Sequence, residues 1–149
     1  MEPNNCKINN EEDNDLALYR YFRKEIKVPG KLNCTFLLLD SIQVGILSNN
    51  TQTRRAAFKL CRRVCRETKK YNNYFLKLTW YFIMDRKVWK EFDELAKILL
   101  PEIDENMICM LFLQGLLHEA AFVRDRYKQL YKYTKQKKPL YKLIELLNN

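Results

Sequence analysis

The chain has 149 residues, of which 47% are hydrophobic, and it includes eight Phe, nine Tyr and two Trp. That content excludes a disordered protein, and a chain of this length buries about 70% of its unfolded surface without help from metals or disulfides. Three Gly and four Pro are too few turn formers for a many-stranded sandwich, and they favour long helices with short connections.

Net charge is +9, and its distribution is uneven. Residues 54–70 carry eight basic and one acidic side chain, and residues 124–142 the same numbers, so the remainder is mildly acidic. Two basic segments on such a body point to an anionic partner, with nucleic acid the commonest, or else to a solvated outer surface. The five cysteines are odd in number and follow a polar, acidic start, MEPNNCKINNEEDND, that is not a secretory signal. Reduced thiols in a cytosolic or nuclear setting are therefore expected. No apolar run reaches the length needed to span a bilayer.

In chain order, residues 1–13 are expected to form a polar tail and residues 14–149 a single helical domain. A first helix, LALYRYFRKEIKV, follows Asn14 or Asp15 as N-cap, carries Leu18, Phe22 and Ile26 along one side, and ends at Pro29-Gly30. A second runs from near Thr35 to about Leu47, with Gly45 inside it. After the Asn49-Asn50 turn, the stretch Thr51 to Lys70 reads as one amphipathic helix with Thr51 or Thr53 as N-cap. Its apolar stripe is Ala57, Leu60, Cys61, Val64 and Cys65, and arginines and lysines occupy most of the remainder.

YFLKLTWYFI, residues 74–83, reads as a short buried helix, with a strand as the alternative. Asp85 is the expected cap of a helix running to Leu99 or Leu100, whose inner face is Val88, Phe92, Leu95, Ala96 and Leu99. Asp104 caps the next, ENMICMLFLQGLL, where Gly115 either breaks the helix or lets a neighbour approach. The chain then resumes helically through HEAAFVRDRYKQLYKYTKQ, with Val123, Tyr127, Leu130 and Tyr131 inward and Arg124, Arg126, Lys128, Lys132 and Lys135 outward. A last amphipathic turn or two, LYKLIELLN, follows Pro139. The expected fold is all-α, with irregular HEAT- or armadillo-like helical hairpins forming one compact bundle or short solenoid.

Catalytic chemistry finds little support. HExxH zinc binding needs a second histidine, and position 122 is Phe. Cys61 and Cys65 stand one helical turn apart, which suits a pair of small buried side chains better than a four-ligand zinc site. No Gly-rich phosphate loop occurs, and the aromatic cluster Tyr74, Phe75, Trp80, Tyr81 and Phe82 reads as core rather than as a base-stacking surface. No catalytic residue, metal or cofactor is expected. What remains are the basic rows: Arg54, Arg55, Lys59, Arg62, Arg63 and Arg66, then Arg124, Arg126, Lys128, Lys132 and Lys135. Such rows track phosphates without reading sequence, or contact an acidic partner.

Three phrases resemble the nucleolar ribosomal RNA processing protein 1 family. NTQTRRAAFKLCRRV, residues 50–64, is similar to that family's Asn-containing turn leading into Arg-x-x-Ala and a basic helix. LKLTWYFIMDRKVWKEFDELAKIL, residues 76–99, resembles its Leu-Lys-hydrophobic-Trp start, Asp-Lys step and Glu-Leu helix. LFLQGLLHEAAFVRDRYKQLYKY, residues 111–133, resembles its Phe-Leu-Gln run and basic-Glu pair, with Glu119, Arg124, Arg126, Lys128 and Tyr131 at matching positions. The chain departs from the family at Ala120, where the family carries Trp. The resemblance covers about residues 36–135. It implies a non-enzymatic scaffold of large-subunit ribosome assembly, located in the nucleus and nucleolus. Its partners would be pre-ribosomal RNA and assembly proteins, with no membrane and no small-molecule substrate. The alternative is a helical protein-interaction module without RNA binding, of transcription-elongation-factor-like or viral host-interaction type.

Overall fold

The computed structural model describes residues 35–135. The expected tail, the first helix after Asn14 and the last turns after Pro139 lie outside the described residues. All regular structure in 35–135 is helical, so the fold is all-α. The chain divides between Lys69 and Lys70 into two compact units, each described by itself.

The N-terminal unit contains α1 (Thr35–Ile46) and α2 (Thr51–Glu67), which pack on each other as a hairpin. Leu38, Ile42 and Ile46 recur every fourth residue, so all three are buried along one side of α1. Gly45 stays inside the helix. On α2 the expected stripe is buried as read, with Ala56 and Phe58 added. The cap differs from expectation. Asn50, not Thr51 or Thr53, is the N-cap, and its Oδ1 accepts the Thr53 backbone N–H at 3.0 Å. The Thr53 hydroxyl, itself buried, donates to the same oxygen at 3.3 Å. Asparagine wins here because its carbonyl reaches both donors from an extended backbone that a residue already inside the helix no longer has.

The C-terminal unit begins with α3 (Asn72–Thr79), which tightens into a 3-10 turn at Trp80–Phe82. The helical reading of 74–83 therefore holds. Its burial reading holds only in part: Phe75 is buried and Trp80 and Phe82 half-buried, whereas Tyr74 and Tyr81 are exposed. Trp80 packs on Phe92, Phe112 and Tyr127 at centroid distances of 5.8, 5.1 and 6.0 Å, edge-on to the last two. Its indole N–H donates to the Leu111 carbonyl at 3.2 Å, so the polar end of a large ring is satisfied.

Asp85 does not cap the long helix. Its carboxylate accepts the Lys87 N–H at 3.0 Å and caps a separate 3-10 turn, Arg86–Val88. Helix α4 (Trp89–Leu99) starts after that turn and buries Phe92, Leu95, Ala96 and Leu99, as the spacing requires. A 3-10 turn at Leu100–Glu102 containing Pro101 ends the run. Asp104 caps α5 (Glu105–Leu116), its Oδ1 accepting the Met107 N–H at 2.8 Å, as expected. The helix is not continuous through His118. Leu117 and His118 close α5 by bonding back to the Leu113 and Gly115 carbonyls, and α6 (Ala121–Tyr131) starts afresh.

Gly115 does not break α5; it lets α6 approach. A Cβ at this position would overlap the Tyr127 ring, so the ring would have to give up its contacts with Trp80 and Phe112 to make room. Gly115→Ala is therefore expected to destabilise the C-terminal unit by about 1–3 kcal/mol, the usual cost of overpacking. Urea unfolding should show a lower midpoint with an unchanged slope.

Burial pushes the Tyr127 phenol above its ordinary value, and the Trp80 indole partly opposes this. The native state thus favours the neutral phenol. The associated stability is complete below the unfolded pKa of about 10 and is lost as pH rises through the higher folded value. Melting temperatures followed from about pH 8 to 11 should fall less steeply in Tyr127→Phe than in the wild type.

Candidate nucleic-acid interface

The residues expected to meet an anion separate into three groups. The first serves the fold. Arg54 donates through Nη1 to the Ser48 carbonyl at 2.9 Å and so clamps the turn between α1 and α2. Arg124 donates from one Nη1 to the carbonyls of His118 and Glu119 at 2.5 and 2.7 Å. Those two carbonyls lie in the turn before α6, so the side chain ties that turn to its own helix.

The second group is Arg126 alone, and it corrects an expectation. Expected outside, it is 3% exposed. Its Nε donates to the Ile83 carbonyl at 2.8 Å, and its Nη2 lies 2.7 Å from Asp93 Oδ1 on α4. The guanidinium stacks over Trp89 at 4.4 Å and reaches Phe92 at 5.5 Å. The Trp89 indole N–H donates to the same Ile83 carbonyl at 3.0 Å. One carbonyl with two lone pairs thus receives both donors, which joins the 3-10 turn, α4 and α6 at one point. Planar delocalised charge suits this place because it can stack and fork at once, which an ammonium cannot. Arg126 holds the unit together from a buried position.

The third group faces outward. On α2, Arg55, Lys59 and Arg66 are exposed, and Arg62 and Arg63 are half-buried. Lys59, Arg62, Arg63, Arg66 and Glu67 line one surface depression of about 280 Å³. The spacing explains it: residues 59, 62, 63, 66 and 67 lie three or four apart, so one helix face gathers four cations and a single carboxylate. In the C-terminal unit Lys128, Lys132 and Lys135 are exposed. The two rows belong to different units.

The reactive residue types are placed as follows. Cys61 and Cys65 are buried, and desolvation, reinforced by the neighbouring Cys65, pushes the Cys61 thiol well above its ordinary value. A thiol held protonated is a poor nucleophile and a poor metal ligand. His118 is exposed, and its Nδ1 accepts the Ala120 N–H at 3.0 Å. Among the described residues no three His, Cys, Asp or Glu side chains come together to hold a metal ion, and no helix is long and apolar enough to cross a membrane.

The aromatic run held a surface residue that composition concealed. Tyr81 is 86% exposed. Positions 74, 77 and 81 share a helix face, so Lys77 in the middle of an apolar run is the sequence signal that this face looks outward. Comparison with family models, with curated proteins and with solved structures gives no match.

Proposed function

We propose that this chain is a non-enzymatic scaffold of large-subunit ribosome assembly that contacts pre-ribosomal RNA through its basic helix faces. The observation that carries the reading is the α2 face, where Lys59, Arg62, Arg63 and Arg66 surround one depression with a single carboxylate among the described residues. Guanidinium forks match phosphate oxygens two at a time, and each neutralised phosphate releases a counterion. The resemblance over residues 50–64, 76–99 and 111–133 supports the assignment to ribosome assembly. With it come nucleolar location, assembly proteins as further partners and a HEAT-like repeat character for the hairpins. Within that resemblance Arg126 has a packing role.

The test is purification of the tagged chain from its own cell under gentle lysis, with bound RNA and protein both identified. Co-sedimentation with large-subunit precursors is expected; absence from those fractions would refute the assignment. A second reading, a protein-interaction module without RNA affinity, draws on a different observation. Leu37, Val44 and Leu47 are exposed on the outer side of α1 and its following turn, an apolar row that phosphate would not cover. That reading expects protein partners that survive ribonuclease treatment.

A further inference from the structure

A groove of about 580 Å³ lies in the C-terminal unit, within the range of about 300–1,000 Å³ typical of ligand sites. Its walls are the rings of Trp80, Tyr81 and Tyr127, and Ile83 and Leu111 contribute the remaining apolar surface. Met110, 57% exposed, stands on its rim and presents a thioether, the side chain that best adapts to a flat ring. Lys77 stands four residues before Tyr81 on the same helix face and is the one charged residue among the described residues lining the groove.

We infer that this groove holds one unstacked base of single-stranded RNA, with Tyr81 as the stacking platform and Lys77 on the adjoining phosphate. The inference rests on the RNA reading above and gives it a specific contact. Three features select this occupant. First, the adjacent residues Trp80 and Tyr81 diverge. Trp80 turns inward, with its N–H engaged by Leu111, while Tyr81 projects outward beside it. The result is a fixed wall and an open ring, as stacking requires. Second, the polarity is one-sided: a cation at the rim and no carboxylate among the described lining residues match a base joined to phosphate. Third, a peptide strand would bring backbone N–H and C=O groups needing partners. Among the described lining residues the side chains offer it two phenol hydroxyls and the lysine, since the indole N–H is taken.

The test uses the intact chain and a labelled uridine-rich oligonucleotide, single-stranded and as a duplex, followed by fluorescence anisotropy. Single-strand binding is expected to weaken about ten-fold or more in Tyr81→Ala and to stay near wild type in Tyr81→Phe, which keeps the ring. Lys77→Ala should lower the salt slope of binding by about 0.7, the share of one phosphate, whereas Tyr81→Ala leaves the slope unchanged. Cross-linking with 4-thiouridine RNA should map to the segment holding Trp80 and Tyr81 or to Met110. The variants replace exposed side chains, and unchanged circular dichroism is expected as the check that they fold. Wild-type binding that survives Tyr81→Ala undiminished, with cross-links elsewhere, overturns this inference and leaves the RNA reading standing. Failure of the wild type to bind either RNA form overturns both. Tyr81-dependent capture of a protein in place of RNA assigns the groove to a peptide and overturns the inference as well.

Discussion

Replacing Arg126 by alanine is expected to destabilise the C-terminal unit by about 3–5 kcal/mol, the range seen when one partner of a buried ion pair is removed. Coulomb attraction is not the main part of this. Asp93 is 35% exposed, so water can take over much of its charge once the arginine is gone. The larger losses are one charge-assisted donor to the Ile83 carbonyl, the stacked contact with Trp89 and Phe92, and the volume of a buried side chain. The converse substitution tests that partition. In Asp93→Leu the guanidinium stays charged because it cannot deprotonate in a protein, and it is buried without its carboxylate. A penalty of similar size is expected, now electrostatic in origin. The double variant Arg126→Ala with Asp93→Leu should cost clearly less than the two single changes together, because no orphaned charge remains. Arg126→Lys should recover only part of the loss, since an ammonium cannot stack flat on Trp89 while reaching two acceptors. Urea titrations followed by tryptophan fluorescence read all four variants. Additive single costs would show that Asp93 and Arg126 act independently, against the geometry.

Arg126 also shows how much of this molecule its sequence discloses. Residues 123, 126, 127, 130 and 131 fall on one helix face by spacing alone, and the structure buries all of them at least in part. The periodicity thus placed Arg126 inside; the habit that arginine lies outside placed it out. Its partner could not be read at all, because Asp93 lies 33 residues earlier and nothing local links the two. The same division runs through the chain. The faces of α1, α2 and α4 follow from apolar spacing, since burying an amphipathic stripe is what positions a helix. The Asp104 cap was legible, whereas two others were misread: at Asn50 and Thr51 several polar residues competed, and at Asp85 a 3-10 turn stands between the cap and the long helix. The break between α5 and α6 has no Pro to announce it, and Arg124 holds it through backbone carbonyls that sequence does not show. The groove beside Tyr81 was hidden because an apolar run of ten residues does not say which rings turn outward; only Lys77 hints at it.

The second large effect concerns the α2 face. Changing Arg62, Arg63 and Arg66 together to glutamate is expected to abolish most RNA affinity at physiological salt and to flatten its salt dependence. If each arginine neutralises one phosphate of single-stranded RNA, the slope of log K against log salt should fall by about 2. Reversal adds repulsion to that loss, so affinity should drop by more than alanine replacement of the same residues gives. Stability is the control. Arg66 is exposed, and its replacement costs about 0.5 kcal/mol or less. Arg62 and Arg63 are half-buried, so each single variant is unfolded in urea, and only affinities of variants that keep the wild-type midpoint are compared. The comparison with Lys128→Glu, Lys132→Glu and Lys135→Glu then separates two arrangements of the RNA. Equal effects from both triples mean that the strand contacts both units. An effect confined to α2 means that the lysines after Tyr127 only face solvent, and that the depression between Lys59 and Glu67 is where phosphate is held. Binding that ignores the α2 triple would assign those arginines to a solvated surface and remove the observation on which the RNA reading stands.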